Sequence, residues 1–266
     1  MTYQPVIPFG GMAGWAFLQR TQEAQQEAFA QDPVIQNDTE YFLENIGNIT
    51  SAEDLVGDYR LLKVALGAFG LDEDIGNKYF IQKVLEDGSL NADALANKLS
   101  DKRYLEMTIA FGFGDYPTPS TQLSDFGAKT VAAYNERQFE IAVGEQSTDL
   151  RLVMGLDRDL GTILDKTTTD AGKWFSIMGN TALRTVFETA LGLPSSIGSL
   201  DLDLQLESFQ DKAQTYFGET TVDQFADPEK MDELNRLYLA RSQIATGTTA
   251  MSSGSIALTL LQNAYG

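Results

Sequence analysis

Apolar residues recur along this chain at steps of three and four, the spacing that places them on one face of an α-helix. Leu55, Tyr59, Leu62, Leu66 and Phe69 form one such stripe. Thr50 followed by Glu53 predicts a capping box ahead of it, and Gly70 a stop behind it. A second helix is predicted over residues 73–86, a third near Asn91 and a fourth over residues 101–111. Gly112, Gly114, Pro117 and Pro119 then break the pattern and mark a boundary between halves. Residues 122–143 and 148–164 read as long helices, the latter with Leu152, Leu156, Leu160 and Ile163 on one face. Residues 171–191 continue the period with a break at Gly179-Asn180, and Gly192, Pro194 and Gly198 form a loop. Residues 201–216 read as helix, or as a strand from the alternation of Leu200, Leu202, Leu204 and Leu206. A final long helix starts near Pro228, a residue suited to a first helical turn.

The last thirty residues carry a second pattern. Leu237, Ile244, Met251, Leu258 and Tyr265 recur every seven residues, with Ala240, Gly247, Gly254 and Leu261 three residues after the first four. This is a heptad seam, one row mostly large and the other mostly small. Its backbone is a weak helix former: nine of the fourteen residues 242–255 are Ser, Thr or Gly, and each Gly costs about 1 kcal/mol relative to Ala. Packing information on weak propensity predicts a segment that folds against a partner.

LLKVALGAFGL (residues 61–71) and LRTVFETALGL (residues 183–193) share Leu, Val, Ala, Gly and Leu at matching places, and Ile75-Gly76 answers Ile197-Gly198 at the same offset. The expectation is therefore an all-α, multi-helical protein of two similar halves with a long C-terminal helix. Its predicted parts are an N-terminal segment and helix (1–40, the helix over 15–30), a first half (41–116), a second half (117–227) and the C-terminal helix or tail (228–266).

Composition narrows the chemistry. At 266 residues and 43% hydrophobic content, the chain has enough apolar surface for a substantial core; chains near this size bury about 70–75% of their unfolded surface. The formal net charge of −19 repels phosphate backbones, with no basic cluster to offset it, so no nucleic-acid partner is expected. The absence of Cys removes disulfides, thiolate zinc sites and a cysteine nucleophile. The absence of His removes the commonest general base and most transition-metal sites. No run of eighteen apolar residues spans a membrane. Residues 1–20 lack a positive lead-in to an apolar stretch, so the expected location is the cytoplasm, or export without a cleaved signal peptide.

PVIPFGGMAGWAFLQRT (residues 5–21) and the block from FLENIGNITSAEDLVGDYR to ANKLSDKRY (residues 42–104) resemble an uncharacterised bacterial family, domain of unknown function 1217. The likeness extends more weakly through the second half. The resemblance implies a largely helical fold, an alphaproteobacterial setting and genes lying among flagellar genes, with no catalytic residues to carry over. LARSQIATGTTAMSSGSIALTLL (residues 239–261) looks like the terminal helix of flagellins, which fold when subunits stack; this tail differs in the two glycines of its seam.

No motif names a reaction. Phe9-Gly10-Gly11-Met12-Ala13-Gly14 lacks the strand and glycine spacing of a dinucleotide loop and reads as a turn that positions Trp15. Asp72, Asp74 and Gly76 do not follow the calcium-loop order and read as a cap with an acidic first turn. Asp201 and Asp203 read as exposed residues between buried leucines. Asp157, Asp159 and Asp165 are one of many carboxylate sets that thirty-eight acidic residues supply. Trp15, Phe17, Trp174 and Phe175 read as packing anchors, with an exposed Trp15 marking an interface.

The expectation is thus a non-catalytic structural or accessory protein of the flagellar apparatus, with no cofactor, metal or catalytic residue assigned. It would bind a flagellar protein partner, or itself, through Leu237, Ala240, Ile244, Gly247, Met251, Gly254, Leu258, Leu261 and Tyr265, together with Trp15. The alternatives are a carboxylate-dependent hydrolase of muralytic type and a helical small-molecule or lipid-binding protein.

Overall fold

The computed structural model describes residues 3–166 and 169–250, and among them it holds thirteen α-helices and no strand. Contacts divide the chain into two compact units, one of residues 1–6 and 20–146, the other of residues 7–19 and 147–266. Helix α1 (Gly11–Ala30) contributes its start to the second unit and the rest to the first.

The first unit holds α2 (Pro33–Asn45), α3 (Ala52–Gly57), α4 (Tyr59–Ala68), α5 (Lys78–Asp87), α6 (Leu95–Lys98), α7 (Arg103–Phe111) and α8 (Phe126–Gly144). Helix α4 is its centre, packed on α2, α3 and α8 with Leu61, Leu62, Val64, Ala65 and Leu66 buried. The stripe that predicts one helix is divided at Asp58. Its carboxylate accepts from the Arg60 and Leu61 amides and so starts α4 as a new helix. The cap ahead of α3 is Ser51, accepting from the Asp54 amide, in place of the expected Thr50–Glu53 pair. Residues 72–76 form a 3-10 turn before the shorter α5. The Gly/Pro-rich break at residues 112–119 lies inside this unit. Asp115 there accepts from the Ser89 hydroxyl and from the Ser89 and Leu90 amides, binding the break to the end of α5.

The second unit holds α9 (Thr148–Lys166), α10 (Asp170–Gly179), α11 (Thr181–Leu191), α12 (Leu202–Phe217) and α13 (Pro228–Ala250). Helix α11 is central, packed on α9, α10, α12 and α13. Trp174 packs on Phe187 (5.6 Å between ring centroids) and Phe209 (5.9 Å), and Phe225 bridges Phe187 (5.2 Å) and Phe217 (5.1 Å). The Trp174 indole N–H donates to the Thr220 carbonyl, so this buried tryptophan has its polar edge satisfied. Residues 202–217 are helix, which removes the strand reading.

The two units repeat one local design. A Ser or Thr cap (Ser51, Thr169) opens a helix. An Asp or Asn (Asp58, Asn180) ends that helix and caps the next through two amides. The central helix then closes on a left-handed glycine, Gly70 or Gly192, and the amide of Leu71 or Leu193 returns to the carbonyl of Leu66 or Glu188. That returning bond is the Schellman closure, which needs a positive φ. A later helix in each unit lays an arginine on this glycine, Arg137 on Gly70 and Arg241 on Gly192. The two-amide caps Asp58 and Asn180, the glycines and the returning bonds keep the offset of the sequence echo, and only the opening caps Ser51 and Thr169 depart from it.

Candidate interaction surface

Helix α13 carries the predicted seam, and its attachment to the second unit decides what that seam can do. The first turn is set by Asp227, whose carboxylate accepts from the Glu229 amide. The helix then buries Met231, Leu234, Asn235, Tyr238 and Leu239. Asp149, at the start of α9, takes one hydrogen bond from the Tyr238 hydroxyl (2.7 Å) and one from the Ser242 hydroxyl (2.5 Å). Burial first, and the Asp149 hydrogen bond and charge after it, push the Tyr238 hydroxyl far above the ordinary tyrosine value. Arg241 donates to the Ala190 carbonyl at 2.5 Å, lies 4.6 Å from the Tyr216 ring centre, and holds the Tyr216 hydroxyl below its ordinary value by a hydrogen bond and its charge. It satisfies a carbonyl at the end of α11, where a cation also complements the helix dipole.

At 3.6 residues per turn, Leu237, Ala240 and Ile244 project from the side of α13 opposite this packed row. Leu237 is half-buried, Ala240 exposed and Ile244 66% exposed. Gly247 lies within α13. Met251, Gly254, Leu258, Leu261 and Tyr265 lie outside the described residues. Trp15 is buried, in the second unit. Trp174 is buried as expected, Phe17 half-buried, and Phe175 partly exposed.

The acidic candidates have local roles. Asp72 accepts from Gln138 and Asp74 from Tyr104 and Asn77. Asp159 pairs with Arg158, while Asp157 and Asp165 are exposed. Among the described residues no three acidic side chains gather where a metal ion could sit, and no helix is long and apolar enough to cross a membrane. The expectation of buried leucines around Asp201 and Asp203 is corrected: Leu200, Leu202 and Leu204 are exposed. Sequence reasoning also gave no sign of a pocket of about 330 Å³ in the first unit, walled by Ala68, Phe69, Ala110, Phe126 and Ala133 with Lys129 among its lining residues.

Two helical units of one local design, the second ending in a helix with a further apolar row, define an all-α protein. The chain belongs to the family described as protein of unknown function (DUF1217), whose model matches residues 68–231. It is similar in fold to protein AGR_C_984 from Agrobacterium tumefaciens, whose crystal structure aligns with a TM-score of 0.72 at 24% identity, over 91% of this chain and 99% of that one. No curated relative matches it.

Proposed function

We propose that this protein is a non-catalytic structural or accessory component of the bacterial flagellar apparatus, working through helix-mediated contacts of its C-terminal helix. The observation that carries the reading is the two-sided design of α13. One row is committed to the body of the second unit, and Leu237, Ala240 and Ile244 continue a heptad on the other side. A heptad row on the side of a helix away from its buried row is the pattern of a helix that docks on another helix. The flagellar setting comes from the family resemblance and from the flagellin-like order of Ser, Thr and Ala after Leu239. Ending the chain at Arg241 keeps the buried row and removes the rest of the seam. Loss of motility and of co-purifying flagellar components is expected; normal motility with intact complexes overturns the reading.

A second reading, a small apolar ligand, is favoured by the first unit's pocket. Binding of a small apolar fluorophore that Ala133→Phe abolishes supports it; unchanged binding in that variant removes it.

A further inference from the structure

The pocket of about 330 Å³ in the first unit lies where the ends of α4 and α7 meet the 3-10 turn Ser120–Gln122 and the start of α8. Ala68, Ala110 and Ala133, one from each helix, line it with side chains too short to fill the space. Phe69 and Phe126 line it as well. Each ring packs on the buried Phe111, at 6.2 Å and 4.9 Å between centroids, and the two make no ring contact with each other.

The frame around the pocket is fixed. Thr121 is buried, and its hydroxyl donates to the Ile49 carbonyl at 2.6 Å, which holds the turn in place. Gly112 closes α7 at a φ of 69°, with its amide on the Thr108 carbonyl. A site formed before its ligand arrives loses little conformational freedom on binding.

The polar lining side chains are few, and all but one have partners. The Thr130 hydroxyl donates to the Phe126 carbonyl at 2.9 Å within α8. Lys129 and Asp125 are exposed and pair at 2.5 Å. Side by side and of opposite sign, they give neither an anion nor a cation a net attraction. An ion among the apolar walls would be desolvated without a partner of its own. The Ser120 hydroxyl has no hydrogen-bond partner among the described residues. A ligand that covers it takes it from water and must replace that hydrogen bond.

Size and shape narrow the ligand further. A cavity of about 150 Å³ holds one benzene ring, so this pocket has room for a substituted ring or two fused rings. Aromatic rings favour edge-to-face or offset contacts at about 4.5–7 Å between centroids, which Phe69 and Phe126 can both offer. We infer, resting on the small-ligand reading of this pocket, that it binds an uncharged aromatic molecule of one or two rings with a single hydroxyl or N–H group. The ring contacts Phe69 and Phe126, and the polar group exchanges a hydrogen bond with the Ser120 hydroxyl, which can donate or accept.

The test titrates the full chain, by equilibrium dialysis at pH 7, with naphthalene, naphthol, naphthoate and naphthylmethylammonium, four compounds of one ring system. Naphthol is expected to bind tightest, and both charged compounds about tenfold or more weakly. Ser120→Ala should lower the naphthol affinity about two- to tenfold, the worth of one hydrogen bond, and leave that of naphthalene unchanged. A merely structural role for Ser120 would change both. Ala133→Phe and Ala110→Leu, filling the pocket from α8 and from α7, should each abolish binding; melting curves show which of the two variants is folded. Equal affinity of naphthalene and naphthol, or a Ser120→Ala variant that binds both as the parent does, overturns the inference and leaves the pocket a site for plain apolar ligands. Tightest binding of either charged compound also overturns it. No binding of any compound, or binding that a folded pocket-filling variant keeps, overturns it together with the small-ligand reading.

Discussion

Single carboxylates set much of the local order. Burial pushes the Asp115 carboxyl up, but the Ser89 hydroxyl and the Ser89 and Leu90 amides outweigh it and hold the carboxyl below the ordinary carboxylate value. Asp58 follows the same logic. Burial raises it, and the Tyr41 hydroxyl, the Leu61 and Arg60 amides and the Arg60 charge together lower it further. A carboxyl lowered by folding contributes stability above its unfolded value, about 3.9, and loses that contribution as pH falls through the folded value. Asp115→Asn keeps the shape and removes the charge. It should destabilise the first unit by about 1.5–3 kcal/mol near pH 7, the range for hydrogen bonds to a charged group. The difference from the parent should close once the pH falls below the folded value. Urea denaturation at the two pH values checks it, and an unchanged gap in acid refutes the role given to the charge. None of this is legible in the sequence, where Ser89 and Asp115 are far apart and the Gly/Pro-rich segment around Asp115 reads as a boundary.

Helix ends show which features sequence can and cannot reveal. The stops at Gly70 and Gly192 are readable because a left-handed closure favours glycine whatever surrounds it. The start of α4 is not readable in the same way: Leu55, Tyr59 and Leu62 keep helical spacing across Asp58, and only the turn of the backbone leaves Tyr59 exposed. Helix α2 escapes the pattern because its inner face mixes Ile35 and Phe42 with buried Asp38 and Thr39, although Asp32 and Pro33 are a recognisable start. The leucines at 200, 202 and 204 escape for another reason, since alternation says nothing of which residues find a neighbour. The repeated design predicts matched costs in the two units. Asp58→Ala and Asn180→Ala each remove a two-amide cap and should each destabilise by about 1 kcal/mol. Gly70→Ala and Gly192→Ala should each cost at least as much, about 1–2 kcal/mol, from φ values of 70° and 65°. The new Cβ would also meet Arg137 Nη1 at 2.9 Å or Arg241 Nη1 at 2.6 Å. Differential scanning calorimetry of the four variants checks the pairing; a large effect in one unit with none in the other would show that the common design is only superficial.

At the scale of the whole chain there are two separate cores and a net charge of −19. Each unit has its own buried centre, α4 with Leu61, Leu62 and Leu66 in one, α11 with Leu183, Val186 and Phe187 in the other. Phe187 touches Trp174 and Phe225, so Phe187→Ala opens a cavity where three rings meet. The cost of such a truncation is about 3–5 kcal/mol, a large part of the stability of a domain. Because the rings Phe187 touches, Trp174 and Phe225, belong to its own unit, that loss should concentrate in α9–α13. Hydrogen exchange resolved by peptide would then show faster exchange through residues 148–166 and 181–191, with residues 59–68 protected as in the parent. A uniform loss of protection would show a single cooperative body. A confined loss would show that the second unit can loosen without the first, and that unit carries the α13 seam. Binding at that seam would then stabilise the second unit preferentially, since a ligand stabilises the part it recognises in folded form.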